Sequence, residues 1–383
     1  MSIIFIILLV IYISIYTIRI YLMMSYQSEM KNNLSSSDCS FSEFTVIQPI
    51  VSGDRNFKND LNENIRKSKD INFVWIIDYN DNEAREIVNE IKSISMRDIT
   101  IIVCDEIPKN LNAKVYKQKL GLKYCKKYMI ALDDDSIIDF STLPKIKELL
   151  DAENCIVTGT PYYSNYNGIL SRLVTGFVNG NSLLTYLPMS KLGLNNTING
   201  MCYFAKTELM KEYEVFSVIE DKLCDEYEIA KLMLKNKIKT IQHTVPCRVG
   251  TTISGIRHYC SLMKRWMIFA NKYLKDNIHP LLIILVVFPS IMPLMLLTVA
   301  IGLGLKYIFI FVTIHYLKSI INLVTRKKYL NSRENIFAPL FEMISDYVQP
   351  IHYIHSLISP NKIQWRKNSI TIQGEKLEYN KTL

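Results

Sequence analysis

Two long apolar segments, one on either side of a region of mixed composition, constrain the fold more than any other feature of this sequence. The first begins with Ile3–Ile18, an uninterrupted apolar run that continues past Arg19 as Ile20–Met24. It is about long enough to cross a bilayer, with the Arg19 guanidinium reaching the membrane surface. Because neither a basic start nor a small-residue cleavage site marks a removable signal peptide, residues 1–24 are predicted to form a transmembrane anchor.

The second apolar segment predicts two further membrane helices. Leu281–Leu305 is almost wholly apolar, and Tyr307–Val324 is apolar apart from three polar side chains. A tight turn at Gly302–Lys306 separates the two runs. Residues 279–325 are therefore predicted to be a pair of transmembrane helices.

Basic residues around these segments predict the orientation of the chain. No Lys or Arg precedes the anchor, whereas Arg19 and Lys31 follow its main apolar run, and residues 326–328 form a basic cluster after the second segment. Loops rich in Lys and Arg stay on the cytoplasmic side of a membrane. The chain is therefore predicted to be an integral membrane protein whose intervening domain faces the cytoplasm.

A third apolar and aromatic segment, Ile336–Ile358, carries charges that a lipid-exposed span does not tolerate. The interrupting side chains are Glu342, Asp346, His352 and His355. Residues 336–358 are predicted to form an interfacial or re-entrant helix, and a third C-terminal span stays open as the alternative.

Composition excludes several function classes. The 383 residues carry a net charge of +9, which in a membrane protein favours lipid headgroups and phosphates as partners. No segment interleaves Lys and Arg with aromatic residues as a nucleic-acid groove does, so nucleic acid is not an expected partner. The eight cysteines match no metal-ligand spacing, which indicates free thiols in a reducing compartment.

The region between the membrane segments, residues 43–278, alternates strand-like and helix-like patterns. Helical spacing occurs at Glu83–Ile94 and Lys114–Lys127. The β-rich runs around them are Phe44–Pro49, Phe73–Asp78, Ile99–Cys104 and Tyr128–Leu132. This alternation predicts an α/β domain with an open, largely parallel sheet, in which ligands bind at the carboxyl ends of the strands.

An acidic triplet, residues 133–135, ends the last of these strands. Alternate residues at a strand end point the same way, so the carboxylates of Asp133 and Asp135 are predicted to converge on one cation. Hard oxygen ligands suit Mg²⁺ or Mn²⁺, which would offset the charge of a departing diphosphate. The alternative is a solvated turn or a helix cap, since Asp is common at both.

Carboxylates elsewhere in the region extend this candidate site. Asp78 ends another predicted strand, where its carboxylate can accept hydrogen bonds from a uracil ring or a ribose hydroxyl. Asp225 and Glu226 open a helical pattern, and either is a candidate general base for an acceptor hydroxyl. Acids also stabilise a helix N-terminus electrostatically, so a purely structural role for this pair stays open.

Arg265 and Trp266 are the last candidates, just before the second apolar segment. Arg side chains clamp phosphate oxygens, and Trp is common at membrane interfaces. The pair is therefore a candidate for binding a phosphorylated ligand close to the bilayer.

Taken in order along the chain, these elements resemble the processive and lipid-directed inverting glycosyltransferases of the GT-A fold, and most of all the ceramide glucosyltransferases and their bacterial relatives. The similar stretches are VIQPI from Val46, IIDYND around Asp78, LNAKVYK around Lys114, KYMIALDDDSIIDFSTL around Asp133, GTPYY from Gly159, NGM from Asn199, DEYEIAK from Asp225, LMKRW ending at Trp266 and IQWRKNSITI in the tail. The resemblance spans nearly the whole chain, and its specificity lies in the ordered set.

The resemblance implies a GT-A domain with a Rossmann-like mixed sheet and a role for each motif. Asp133 and Asp135 are expected to hold the metal, and Asp225 or Glu226 to act as the base, although Glu226 stands where the family usually has Asp. Residues 361–383 resemble the C-terminal hairpin of the family. The residues expected to bind the nucleotide-sugar donor are Asp78, Asn112, Lys114, Asp133, Arg265 and Trp266.

The function implied by the resemblance is transfer of a hexose from a nucleotide sugar, such as a UDP-sugar, to a hydroxyl of a lipid acceptor with inversion. Ceramide and diacylglycerol are candidate acceptors. The alternatives are a polysaccharide synthase, a polyprenyl-phosphate glycosyltransferase and a non-catalytic membrane scaffold. The synthase needs a channel, for which two or three helices after the domain are few, and a scaffold would show no metal-dependent nucleotide binding.

Overall fold

The computed structural model describes residues 2–32, 40–95, 97–165, 167–359, 362–365, 368–373 and 376–381. The chain divides into two compact units. The helical unit comprises Met1–Asn33, Tyr162–Asn195 and Ile253–Ser359, and the sheet unit comprises Leu34–Pro161, Asn196–Thr252 and Pro360–Leu383. Residues 162–195 and 253–278 of the predicted soluble domain thus fall in the helical unit.

An eight-stranded mixed sheet forms the centre of the sheet unit, with the strand order β3-β2-β1-β4-β7-β6-β8-β5. The strands are β1 (Phe44–Ile50), β2 (Asn72–Asp78), β3 (Ile99–Cys104), β4 (Tyr128–Leu132), β5 (Ser136–Ile138), β6 (Cys155–Tyr163), β7 (Cys202–Lys206) and β8 (Lys239–Val249). Strands β1 to β4 pair in parallel, whereas β7 is antiparallel to both β4 and β6. The carboxyl ends of β2, β1 and β4 therefore lie side by side at one edge.

Helices cover this sheet, and all seven residues of β1 and all five of β4 are buried. Such complete burial is typical of central strands with helices on both faces. Numbered along the whole chain, the helices of this unit are α2 (Phe57–Lys67), α3 (Asn82–Ser95), α4 (Ala113–Gly121), α5 (Leu143–Ala152), α7 (Thr207–Glu212), α8 (Val215–Ile219) and α9 (Asp225–Lys235).

Helix α4 is shorter than the predicted helix Lys114–Lys127, because it ends at Gly121. A Cβ atom on Gly121 would lie 2.9 Å from both Ile47 Cγ2 and Ile76 Cδ1. The absence of a side chain therefore lets the end of α4 pack directly on β1 and β2. A 3-10 turn, Leu122–Tyr124, then leads toward β4.

The helical unit consists mainly of long helices. Its elements are α1 (Ser2–Asn32), α6 (Ile169–Lys191), α10 (Ile256–Asp276), α11 (Pro280–Leu282), a π-helical turn (Ile283–Val287), α12 (Phe288–Leu303), α13 (Leu305–Leu330) and α14 (Ala338–Ile358). Among the described residues, three helices are long and apolar enough to cross a membrane: Ser2–Met30, Pro280–Leu303 and Leu305–Leu330. Gly304, with a φ of +105° that glycine adopts without strain, separates the last two inside the predicted turn.

Charged side chains buried inside the helical unit pair with one another. Arg326 of α13 donates to Glu334 at 2.7 Å and to Glu342 at 2.9 Å. Lys318 of α13 lies 3.1 Å from Glu342 and 2.6 Å from Asp346. These pairs allow α14 to bury its acids rather than expose them to lipid. The interfacial or re-entrant position of this helix stays a prediction.

The described part of the C-terminal tail forms a small antiparallel sheet. Its strands are β9 (Lys362–Trp365), β10 (Asn368–Gln373) and β11 (Lys376–Lys381), with β10 in the middle. Of the predicted hairpin tail, residues 361, 366–367, 374–375 and 382–383 lie outside the described residues.

Candidate active site

The candidate site lies where the parallel strands of the sheet unit end. Asp78 is the last residue of β2, and residues 133–135 connect β4 to β5. Because β1 pairs with both β2 and β4, one strand separates these two groups of carboxylates. This edge is where open α/β sheets bind their ligands.

The ammonium group of Lys114 lies close to residues from three other segments of the chain. Lys114 Nζ lies 2.9 Å from Asp133 Oδ1, 3.6 Å from Asp225 Oδ2 and 3.8 Å from Glu226 Oε1. It also donates to the Gly200 carbonyl oxygen at 3.0 Å. The structure therefore brings together one proposed metal ligand, one proposed donor-binding lysine and both candidate bases.

Local sequence explains how this cluster forms. Asp225 and Glu226 open α9, and acids in the first turn of a helix are stabilised by its dipole. Gly200 gives the Glu226 side chain the space it occupies, since a Cβ at position 200 would lie 2.0 Å from Glu226 Oε1. Gly200 of the NGM stretch thus acts in two ways. Its lack of a side chain leaves room for Glu226, and its carbonyl oxygen accepts the hydrogen bond from Lys114.

The charges in this cluster change the proton affinities of its members. Burial raises the pKa of Glu226 to about 8, with a further increase from the Asp225 charge and an opposing effect of Lys114. Burial also raises the pKa of Asp133, although Lys114 opposes it. For Lys114, burial lowers the pKa, but the surrounding carboxylates raise it well above its usual value. Glu226 keeps 25% of its side chain exposed, so a substrate hydroxyl can reach it.

The carboxylates of residues 133–135 have different hydrogen-bond and ion-pair partners. Asp134 is buried and accepts a hydrogen bond from the Val51 amide at 2.8 Å. Asp135 accepts a hydrogen bond from the Thr251 hydroxyl at 2.7 Å. Asp133 and Asp135 remain partly exposed, on either side of the buried Asp134. Asp134 is therefore a structural residue that ties the end of β4 to the end of β1.

Asp78 has a partner that was not predicted from the sequence. Lys117 Nζ donates to Asp78 Oδ2 at 2.9 Å and to the Ile50 carbonyl oxygen at 2.8 Å. Lys117 is only 1% exposed. Its spacing of three residues from Lys114 places both lysines on one face of α4, which is the sequence signal that could have identified it.

Asn112, predicted to bind the donor, caps helix α4. Its side-chain oxygen accepts hydrogen bonds from the amides of Lys114 at 3.1 Å and Val115 at 3.4 Å. Its amide group donates to the Lys222 carbonyl oxygen at 3.0 Å, and the residue is 5% exposed. The visible role of Asn112 is therefore to fix the start of the helix that carries both lysines.

Arg265 and Trp266 lie on α10 in the helical unit. The Trp266 ring stacks on Phe177, with ring centroids 5.7 Å apart, and meets the Tyr163 ring edge-on at 6.0 Å. Aromatic packing thus fixes the indole in place. Binding of the donor by this pair stays a prediction.

The model of glycosyl transferase family 21 matches residues 4–377 of the chain. This protein belongs to glycosyl transferase family 21. No curated protein matches the sequence significantly. Sugar transfer is thus the reaction class of this family 21 member, whereas its sugar and its acceptor are not given by the match.

Two solved structures match this family 21 member over most of its length at low sequence identity. The mannosyltransferase PcManGT from Pyrobaculum calidifontis, in complex with GDP-Man and Mn²⁺, is 14% identical with a TM-score of 0.50, over 92% of this chain and 99% of that chain. TarS 1-349 from S. aureus, in complex with UDP-GlcNAc, is 11% identical with a TM-score of 0.40, over 89% and 97%. The likeness to PcManGT shows a GT-A-like fold, which confirms the predicted fold class.

The predicted metal ligands of this family 21 member have donor groups of the kind that a divalent cation prefers. Asp133 and Asp135 are partly exposed carboxylates, which are hard donors suited to Mg²⁺ or Mn²⁺. Among the described residues, no three His, Cys, Asp or Glu side chains form a complete metal cage. Mg²⁺ is commonly held by one or two carboxylates, with phosphate oxygens and water as its other ligands. The two carboxylates thus remain the predicted metal ligands.

Proposed function

We propose that this protein transfers a hexose from a nucleotide sugar, of the UDP-sugar type, to a hydroxyl of a lipid acceptor, with inversion. The observation that carries the proposal is the position of the Lys114 ammonium between Asp133 and the two acids of α9, Asp225 and Glu226. The Lys114 ammonium thereby links Asp133, which is proposed to hold the donor diphosphate, with the two acids that are proposed to activate the acceptor. Membership of glycosyl transferase family 21 supports the reaction class.

The proposed donor site extends along the carboxyl ends of β2 and β4. Asp78 would accept hydrogen bonds from the nucleoside, and Asp133 with Asp135 would hold a divalent cation. When bound, that cation neutralises negative charge that builds up on the leaving diphosphate. Lys114 exchanges its carboxylate contacts for phosphate oxygens, which leaves the acids of α9 free to act on the acceptor.

The proposed reaction is a single displacement. Glu226, or its neighbour Asp225, removes the proton from the acceptor hydroxyl. The hydroxyl oxygen forms a bond to the anomeric carbon while the bond from that carbon to the diphosphate oxygen breaks, and the nucleoside diphosphate leaves with the electron pair. The raised pKa of Glu226, about 8, supports this role because a carboxylate with that pKa is a stronger base than an ordinary one.

A lipid acceptor is proposed because the chain has helices suited to a membrane. Three helices of the described residues are apolar and long enough to span it. The basic residues that follow the first and third of them support an orientation in which the catalytic residues face the cytoplasm. Ceramide and diacylglycerol are the proposed acceptor classes, since both offer a primary hydroxyl at the membrane surface.

The experiment that tests the proposal is a transfer assay with the full chain in nanodiscs. UDP-glucose, UDP-galactose and UDP-GlcNAc are offered with Mn²⁺, against ceramide, diacylglycerol and a polyprenyl phosphate. A glycolipid formed by the wild type and lost in Asp135→Ala and Glu226→Gln supports the proposal. Glu228→Gln, two positions further along α9, is the matched control and should keep its activity. No product and no metal-dependent UDP binding would contradict it.

A further inference from the structure

Arg19 of α1 is a buried cation whose hydrogen-bond partners are all uncharged. The residue is 5% exposed. Its Nε donates to the Leu184 carbonyl oxygen at 2.8 Å, and its Nη2 donates to the Thr185 hydroxyl at 3.0 Å. In the described part of the chain, no Asp or Glu side chain forms an ion pair with the guanidinium. A buried charge without a counter-ion is costly, and an anionic ligand would offset that cost.

The bond from Arg19 to α6 fixes the guanidinium and leaves one of its nitrogens over. Pro188 lies inside α6 and has no N–H, so the carbonyl oxygen of Leu184, four residues earlier, lacks its usual helical donor. Arg19 Nε supplies that donor. Nη1 makes no hydrogen bond to any described residue, and it is not among the unpaired atoms that the fold seals from water. Nη1 is therefore the nitrogen left for a ligand.

Arg19 lines a polar cavity inside the helical unit. The cavity, with the open space at its mouth, measures about 390 Å³. Three charged side chains line it: Arg19 of α1, Lys318 of α13 and Asp346 of α14. Lys318 and Asp346 pair with each other at 2.6 Å, and Glu342, which shares Lys318, does not line the cavity. Of the three charged groups at the wall, Arg19 is thus the one without an ion-pair partner among the described residues.

The position of Arg19 along α1 matches the headgroup level of a bilayer. At 1.5 Å per residue, Arg19 comes about 26 Å along the helix from Ser2. The hydrocarbon core of a bilayer is about 30 Å thick, and the apolar run Ile3–Ile18 ends just before Arg19. In a helix that spans the membrane, Arg19 therefore lies close to the phosphates of one leaflet. These phosphates are the anions that a membrane offers at that depth.

We infer that this cavity binds a phosphate group, with Arg19 Nη1 as its main donor. A guanidinium is always charged and holds its N–H groups in one plane, which suits the oxygens of a phosphate. Asn181 of α6 also lines the cavity, and it has a second amide N–H besides the one that donates to the Phe177 carbonyl oxygen. A lipid headgroup and free phosphate carry the same chemical group, and the depth of Arg19 favours the lipid. The inference goes beyond the proposed function, which assigns no role to Arg19.

The first test measures lipid binding to the wild-type full chain in a non-ionic detergent by native mass spectrometry. Phosphatidylglycerol is compared with the methyl ether of a diacylglycerol that has the same acyl chains, which lacks both a phosphate and the hydroxyl of a proposed acceptor. Phosphatidylglycerol should bind about tenfold more tightly, because it alone forms charged hydrogen bonds with Arg19. Equal binding of the two lipids would overturn the inference. Competition by inorganic phosphate would support the site and add free phosphate as an occupant, whereas binding without such competition would support a lipid-specific site.

The second test replaces the arginine. In Arg19→Met, phosphatidylglycerol should bind about tenfold more weakly, while the binding of the ether should stay as in the wild type. Arg19→Lys keeps the charge but loses the planar set of donors, so its affinity for phosphatidylglycerol should be intermediate. The matched control is Lys306→Met, which removes one positive charge from the exposed start of α13 and should keep both wild-type affinities.

Thermal unfolding of the same samples separates ligand binding from support of the fold. Arg19→Met also removes the donor to the Leu184 carbonyl oxygen, so it should unfold at a lower temperature. Lower stability with an unchanged ratio of the two lipid affinities would show that Arg19 only supports α6, and would overturn the inference. An equal loss of phosphatidylglycerol binding in Lys306→Met would overturn it as well, because binding would then follow net charge. If Arg19→Met does not fold, Arg19→Lys and the wild-type comparison decide, and none of these results depends on sugar transfer.

Discussion

Adding one methyl group at Gly200 should disable catalysis without unfolding the chain. A Cβ at this position would lie 2.0 Å from Glu226 Oε1 and 2.4 Å from Glu226 Cδ. Ordinary contacts begin at 3.4 Å, so in Gly200→Ala the Glu226 carboxylate must move by about 1.4 Å, the difference between the two distances. Misplacing a catalytic group by about 1 Å costs on the order of 100-fold in rate, so we expect kcat to fall by about that factor.

The assay is sugar transfer in nanodiscs at saturating donor and acceptor, with thermal unfolding measured on the same samples. Gly302→Ala is the matched control, because a Cβ there meets no atom within 4 Å. If the substitution acts through Glu226, adding Gly200→Ala to a Glu226→Gln chain should change the remaining rate little. A folded Gly200→Ala chain that works within about threefold of the wild type would refute the assignment of Glu226 as the base.

Three further predictions follow from the charges and caps of the structure. The pH profile of kcat/KM should rise through about pH 8 as Glu226 loses its proton, and this rise should vanish in Glu226→Gln; a rise already complete at low pH would contradict it. Asn112→Ala should lower the free energy of unfolding by about 1 kcal/mol, whereas Asn112→Asp, which keeps the capping acceptor, should lose less, as measured by thermal unfolding. Arg326→Met should cost about 3–5 kcal/mol because it removes the buried cation that pairs with Glu334 and shares Glu342 with Lys318. The exposed Lys327→Met should cost little, and equal losses in the two variants would count against the pairing.

The positions of Asp78 and Asp133 could be predicted from the sequence because each follows an apolar strand pattern. Parallel strands end at a common edge, so two acids at such ends are brought near one another by the sheet itself. The helix that begins at Asp225 could likewise be predicted from the apolar spacing of the residues after it. These inferences need only local patterns and the pairing of neighbouring strands.

Lys117 could not be assigned in the same way, because its role depends on how α4 sits on the sheet. The height of that helix above β1 and β2 depends on the missing side chain of Gly121, and the sequence does not tell which strands a given glycine faces. Asn112 illustrates the same difficulty, because its capping of α4 was not predicted from the family resemblance, which suggested donor binding. Donor binding by Asn112 stays a prediction. Contacts between side chains of different helices and strands depend on how those elements pack. The periodicity of the sequence does not reveal that packing.

The acids of α14 show where hydropathy alone gives an incomplete picture. Glu342 and Asp346 made the segment look unsuited to a lipid environment, yet Arg326 and Lys318 of α13 neutralise them inside the helical unit. The basic partners lie 16 to 28 residues earlier in the chain, so neither segment alone reveals the pairing. A hydropathy average scores each charged residue separately and takes no account of an ion-pair partner elsewhere in the chain.

The charge balance around Lys114 gives a physical reason to expect a cation with the donor. Three carboxylates, Asp133, Asp225 and Glu226, lie within 4 Å of one ammonium group, so the cluster has more acids than bases even when Glu226 holds a proton. A diphosphate approaching such a cluster alone would be repelled. A divalent ion on Asp133 and Asp135 would offset this negative charge and free Lys114 to turn toward the phosphate oxygens. The arrangement that holds the proposed base in place therefore also favours a donor that arrives with its metal.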